Sequence, residues 1–129
     1  MNSYDIETLN EDQKKALLKI EGAVLVTAGA GSGKTKLLTH RIAYLIKELN
    51  VSPYRILALT FTNKAAKEMR ERVSSMIDGN ESDKVWISTF HSMCVKILRS
   101  NIHKVEGYNS NFSIYSDADT DRVLKRIYA

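Results

Sequence analysis

The 129 residues are 43% hydrophobic and 26% charged, the balance of a globular protein large enough to bury one core. A net charge of +4 and a sequence pI of about 9.2 are compatible with a nucleic-acid partner without demanding one. Cys94 stands alone and excludes an internal disulfide, the N-terminus lacks an apolar signal region, and no apolar run approaches bilayer length, so a cytoplasmic protein with no membrane role is expected.

In chain order, a first helix is predicted from Glu11 to Ile20, with Asn10 as its N-cap and Ala16, Leu17 and Ile20 on one face. Ala23-Val24-Leu25-Val26-Thr27 is apolar throughout and reads as a strand buried on both faces. A second helix runs from Gly33 to Leu49 with Leu37, Leu38, Ile42, Leu45 and Ile46 inward. Asn50 to Tyr54 is a turn around the only proline, Pro53. Arg55 to Thr60 is the next strand, and Asn63 caps a third helix through Ile77 that turns Ala66, Met69, Val73 and Ile77 to the sheet. After a polar loop, Asp78 to Asp83, come a third strand (Val85 to Thr89) and a fourth helix from Phe90 carrying Met93, Val95, Ile97 and Leu98. Gly107 to Ser113 is loop-like, and Asp117 to Tyr128 is helical. The alternation of strands and helices predicts an α/β fold with a mostly parallel sheet. Three strands make a thin sheet, and the last helix lacks a C-cap, so a piece of a longer protein is expected.

The glycines of Ala28-Gly29-Ala30-Gly31-Ser32-Gly33-Lys34-Thr35 sit between an apolar strand pattern and a helix. Chemistry explains why a phosphate loop needs that pattern. Glycines let the backbone curl its N–H groups around one anion, and the helix that follows adds the favourable end of its dipole. Lys34 is placed to reach the β- and γ-phosphates of ATP, and Thr35 to offer its hydroxyl to Mg2+. Ala28 replaces the glycine of the strict pattern at its first position, a mild departure because the later glycines form the cradle. By itself the loop says nucleoside triphosphate, not what the energy is used for.

Three further segments narrow the reading. Leu9-Asn10-Glu11-Asp12-Gln13 precedes the loop; Leu59-Thr60-Phe61-Thr62-Asn63-Lys64-Ala65-Ala66-Lys67-Glu68-Met69-Arg70-Glu71-Arg72 and Ser88-Thr89-Phe90-His91-Ser92 follow it. In this order the four segments resemble the UvrD/Rep/PcrA family of superfamily 1 DNA helicases, over about Leu9 to Arg99. The resemblance implies a P-loop NTPase (RecA-like) parallel sheet flanked by helices, a partial first motor domain. Residues 1–92 would be its N-terminal part, and 93–129 the start of an inserted, mainly helical subdomain, incomplete here.

The resemblance also implies roles. Gln13 matches an adenine-reading glutamine, whose amide supplies the donor and acceptor that an adenine edge needs; the plain alternative is a polar residue on a helix's first turn. Lys36 stands where the family commonly has an arginine packed on the adenine, and a lysine lacks the planar guanidinium. Thr60, Phe61, Thr62, Asn63 and Lys64 match a segment that touches single-stranded DNA, with Phe61 able to stack on a base or, alternatively, to sit in the core. Thr89, Phe90 and His91 match a second DNA-contacting segment. Lys64, Lys67, Arg70 and Arg72 share one helix with Glu68 and Glu71, which also suits a solvated face.

Hydrolysis needs a magnesium-binding acidic pair, and no strand here ends in Asp-Glu; Asp117, Asp119 and Asp121 read as an N-cap and first-turn charges of a helix. The expectation is therefore an ATP-dependent helicase moving 3′–5′ on single-stranded DNA. These residues form its ATP-binding part, inactive without the rest of the parent chain. A helicase subunit of a helicase–nuclease complex, a non-catalytic nucleotide- or DNA-binding module, and a phosphate-loop kinase are the alternatives; kinase chemistry does not require the Gln13, Phe61 and Phe90 segments.

Overall fold

The computed structural model describes residues 4–77 and 79–128. It divides into two compact units, Met1–Phe90 and His91–Ala129.

The first unit is mixed α/β. A short 3-10 turn (Ile6–Thr8) leads into helix α1 (Glu11–Leu18). Its start follows from a capping box: the Asn10 side chain accepts from the Gln13 N–H at 2.9 Å, and the Gln13 side chain accepts from the Asn10 N–H at 3.0 Å. Ile20 falls beyond the helix and is exposed, whereas Leu17 is fully buried against Leu9 and Leu37.

Ala23–Thr27 is not a strand. Among the described residues it pairs with no other strand, and Val24, Leu25 and Val26 are exposed, Leu25 to 88%. Apolar composition supplies the side chains for a buried strand, but a strand exists only through ladder hydrogen bonds to a neighbour. Among the described residues the sheet accordingly has two strands where three are expected.

Helix α2 (Lys34–Lys47) starts at Gly33, which holds the left-handed conformation (φ 86°, ψ 17°). Leu37, Ile42, Ala43 and Ile46 are buried, Leu45 is half-buried, and Leu38 is 38% exposed. Two polar residues share the inner face. Thr39 Oγ1 donates to the Thr35 and Lys36 carbonyls at 3.1 and 2.9 Å, and His40 Nδ1 donates to Lys36 O at 2.8 Å. The helix backbone thereby satisfies the Thr39 hydroxyl and one ring nitrogen.

A turn through Asn50 (φ 51°) and a 3-10 turn at Pro53–Arg55 lead to strand β1 (Leu57–Thr60). Helix α3 (Asn63–Met76) is capped by Thr62, not Asn63: Thr62 is extended and its hydroxyl accepts from the Ala65 N–H at 3.1 Å, so Asn63 falls inside the first turn. A 3-10 stretch (Gly79–Lys84) occupies most of the expected polar loop, and Asp78 lies outside the described residues. Strand β2 (Trp86–Thr89) pairs with β1 in parallel, Leu57 with Trp86 and Thr60 with Thr89. The main core lies between this pair, α2 and α3; Ile42, Ala43, Ile46, Ala58, Ala66, Met69, Val73, Ile77 and Ile87 meet there. At about 25 cal/mol per Å2, burying apolar side chains of this size is the dominant stabilising term. Arg70 adds a tie from α3 to β2, donating to Ile87 O at 2.7 Å.

Helix α4 (Phe90–Asn101) begins at the end of β2, with Met93 and Val95 half-buried and Ile97 and Leu98 exposed. In the second unit, Arg99 lies 5.6 Å from the centre of the Phe112 ring. Helix α5 (Asp117–Ile127) is capped by Ser116, with Asp119 completing a capping box. Hydrogen bonds from the Ser116 hydroxyl and N–H hold the Asp119 carboxyl below the usual carboxylate range. The acidic cluster is thus a helix start, with the cap one residue earlier than the aspartates.

Candidate nucleotide and nucleic-acid site

The loop from Ala28 to Gly33 closes on itself before α2. Ser32 donates to Gly29 O through its N–H (3.3 Å) and its hydroxyl (2.6 Å). Lys34 turns back over the loop, its Nζ donating to the carbonyls of Ala28 (2.6 Å) and Gly29 (2.5 Å) and lying 3.5 Å from Ser32 Oγ. Gly31 and Gly33 take φ values of 76° and 86°, a region that costs an L-residue about 1–2 kcal/mol. Among the described residues no side chain caps the first turn of α2, and N–H groups at such an uncapped start are of the kind that suits an anion. A side chain at Gly31 would meet nothing within 4 Å, so the loop is open at that position. Thr35, in the first turn, is exposed.

The structure brings Gln13 to this loop. Its Nε2 donates to Ser32 O at 3.4 Å, and a Cβ built on Gly33 would stand 2.7 Å from that nitrogen. One cavity of about 210 Å3 is lined by Asn10, Asp12, Gln13, Ala28, Ser32 and Lys34, among others. A second, of about 300 Å3, is lined by Gly31 to Lys36 together with Arg72 of α3. Both share Lys34. The arrangement offers an amide at one end and N–H groups, an ammonium and a hydroxyl at the other, the donor set that a base joined to phosphates needs.

Lys36 is half-buried, and its Nζ donates to Thr8 O at 2.7 Å, tying the first turn of α2 to the 3-10 turn before α1. Glu7 of that turn pairs with Lys14 at 2.9 Å, and this contact raises the Lys14 pKa. Asn10, Asp12 and Arg72 were not among the residues singled out from sequence as nucleotide contacts. Their signal lies in placement: Asn10 and Asp12 flank the start of the helix that carries Gln13, whereas Arg72 arrives from another helix.

The second group of residues sits at the carboxyl edge of the sheet. Parallel pairing of Thr60 with Thr89 brings the residues that follow them side by side. The Phe61 and Phe90 rings lie 5.8 Å apart, inclined at 47°. Phe61 is 91% exposed, which removes it from the core, and Phe90 is 46% exposed. Thr62, Asn63, Lys64 and His91 are exposed, Thr60 is half-buried, and Thr89 is buried. Of the basic cluster on α3, Lys67 pairs with Glu71 at 3.9 Å and Arg70 braces β2, so those two serve the helix surface and the sheet.

Arg41, which no sequence pattern marked, reaches from α2 to the end of α1. Its Nη1 donates to the carbonyls of Ala16 and of Leu17, the latter at 3.2 Å, and its Nη2 to that of Lys19 at 2.5 Å.

Among the described residues no helix is long and apolar enough to cross a membrane. Comparison with known proteins places the chain in a family. Residues 9–129 match the UvrD/REP helicase N-terminal domain. The chain is 57% identical over 119 residues to the ATP-dependent DNA helicase PcrA of Bacillus subtilis, covering 92% of this chain and 16% of that protein. It is 52% identical over 122 residues to the PcrA helicase of Staphylococcus epidermidis and 51% over 119 residues to that of Staphylococcus aureus, covering 95% and 92% of this chain. The chain spans 16% of the length of each of these relatives. On this match and these identities, the chain belongs to the UvrD/REP helicase family and corresponds to part of its N-terminal domain.

Proposed function

We propose that these residues are the ATP-binding part of an ATP-dependent DNA helicase that moves 3′–5′ along single-stranded DNA. The observation that carries this reading is the convergence of Gln13, the Ala28–Thr35 loop and Lys34 on shared cavities, in a chain whose relatives are named ATP-dependent DNA helicases. Gln13 reads the base, and the loop N–H groups with Lys34 hold the β- and γ-phosphates. Thr35 offers its hydroxyl to Mg2+, and Lys36, released from Thr8, lies on the base. Mg2+ when bound neutralises charge on the phosphates. The fold this implies is a RecA-like P-loop domain, of which residues 1–92 are the first part and 93–129 begin a helical subdomain.

The DNA track is the sheet edge. Phe61 and Phe90 offer stacking faces, and Thr60, Thr62, Asn63, Lys64, Thr89 and His91 supply the polar and basic surroundings. Exposed aromatic rings cost solvation, and bases that stack on them recover it without sequence preference.

The 129 residues alone are expected to hydrolyse ATP slowly or not at all, because the acidic pair and the arginine finger that hydrolysis requires are not among them. Unwinding by the intact protein of duplexes carrying a 3′ or a 5′ single-stranded tail tests the reading. ATP-dependent unwinding of the 3′-tailed duplex is expected, and equal unwinding of both, or of the 5′-tailed duplex alone, contradicts the polarity.

A further inference from the structure

Helix α1 has eight residues, too few to hold its shape in isolation. Its position must come from its anchors, and these are unequal. Leu17 holds its last turn by burial against Leu9 and Leu37, a contact that lets the helix pivot. At its start, Gln13 Nε2 touches Ser32 O at a long 3.4 Å. At its end a single guanidinium satisfies three carbonyls, those of Ala16, Leu17 and Lys19. The last carbonyls of a helix have no partner within it, and they carry the negative end of its dipole. A cation there gains both hydrogen bonds and favourable charge, and the planar fork of arginine spreads its donors over a wider arc than the single nitrogen of an ammonium.

Arg41 comes from the helix that begins with the phosphate loop. It lies two turns beyond Lys34, at about 3.6 residues per turn, on the same face. Lys34, Leu37 and Arg41 line one apolar cavity of about 300 Å3 together with Ala16 of α1. The residue that clamps the end of α1 therefore belongs to the rigid body that holds the phosphate-binding lysine.

We propose that Arg41 is a positioning residue for base selection. It fixes the tilt of α1 against α2, and so sets where the Gln13 amide stands relative to the phosphate loop. The inference rests on the reading of Gln13 as the adenine-contacting residue. Loss of the clamp leaves the end of α1 held by Leu17 alone, so the helix can pivot on that side chain. The pivot spreads the positions of Gln13 and weakens discrimination between bases, while the loop and Lys34 keep their grip on the phosphates.

The test measures the affinities of ATP and GTP for the intact protein in wild type, Gln13→Ala, Arg41→Ala and Arg41→Lys. Wild type is expected to prefer ATP. Gln13→Ala and Arg41→Ala should each lower the ATP-to-GTP preference about tenfold, the worth of roughly one good hydrogen bond, with GTP affinity little changed. Arg41→Lys should fall between, because an ammonium donates from one point and does not span the Ala16 and Leu17 carbonyls on one side and that of Lys19 on the other. A wild-type preference in Arg41→Ala beside a lost one in Gln13→Ala overturns the positioning role and leaves the Gln13 reading standing. An unchanged preference in Gln13→Ala overturns the Gln13 reading and the proposal with it. Should Arg41→Ala fail to fold, Arg41→Lys carries the test, and a wild-type preference there overturns the proposal.

Discussion

The side chain of Gln13 rests against the backbone of Gly33: a Cβ at Gly33 would lie 2.7 Å from Gln13 Nε2, and that nitrogen donates to Ser32 O. The base end and the phosphate end of the candidate site thus touch through one glycine. Gly33 also carries a φ of 86°.

Gly33→Ala separates these two constraints. The amide is the far end of a flexible side chain and can move aside, so the contact is cheap to relieve. The left-handed backbone is not, and it costs about 1–2 kcal/mol. ATP affinity of the intact protein should fall, and the loss caused by Gly33→Ala should be as large in a Gln13→Ala background as in the wild type. A loss that vanishes in the Gln13→Ala background, followed by fluorescent-nucleotide titration, would show that the contact and not the backbone was limiting.

Phe61 is predicted to bind DNA without supporting the fold. At 91% exposure its removal creates no cavity, so Phe61→Ala should leave the thermal midpoint nearly unchanged. Loss of a stacked base should weaken single-stranded DNA binding by about 1–3 kcal/mol, roughly 5- to 150-fold. Fluorescence anisotropy with a labelled oligonucleotide measures this, and unchanged affinity would remove Phe61 from the DNA track.

Tyr4 gives a pH signature. Burial of its phenol, followed by the nearby Glu48 and Tyr44, pushes its pKa up to about 12 from 10.0. The folded state then keeps a proton that the unfolded state loses, so stability falls as pH rises from about 10 to 12. Below pH 10 the contribution is complete. Tyr4→Phe should flatten the decline of the urea midpoint across that window relative to wild type. It should cost little at neutral pH, because the buried hydroxyl has no hydrogen-bond partner among the described residues. Parallel declines in the two proteins would refute the assignment.

Much of the first unit was legible because its signals are local. The caps at Asn10 and around Thr62–Asn63, the helical spacing of Ala66, Met69, Val73 and Ile77, and the glycines before Lys34 each follow from neighbours in sequence. Ala23–Thr27 was not, because an apolar run specifies a strand only when another strand pairs with it. Thr62 and Asn63 are both competent caps, and the extended backbone at Thr62 decides between them. Arg41 carried no pattern: its partners lie 22 to 25 residues earlier, and only the packing of α1 on α2 joins them. Thr39 and His40 look like surface residues by type, yet hydrogen bonds to the helix's own carbonyls let them be buried.

The most direct measurement is DNA-stimulated ATP hydrolysis by the intact protein, wild type against Lys34→Ala. Lys34 is exposed and, among the described residues, bonds only to its own loop, so its removal should leave the fold in place. The account predicts that single-stranded DNA accelerates hydrolysis by the wild type and that the variant loses at least about 100-fold. Hydrolysis in Lys34→Ala equal to wild type, or a wild-type rate indifferent to DNA, would contradict it.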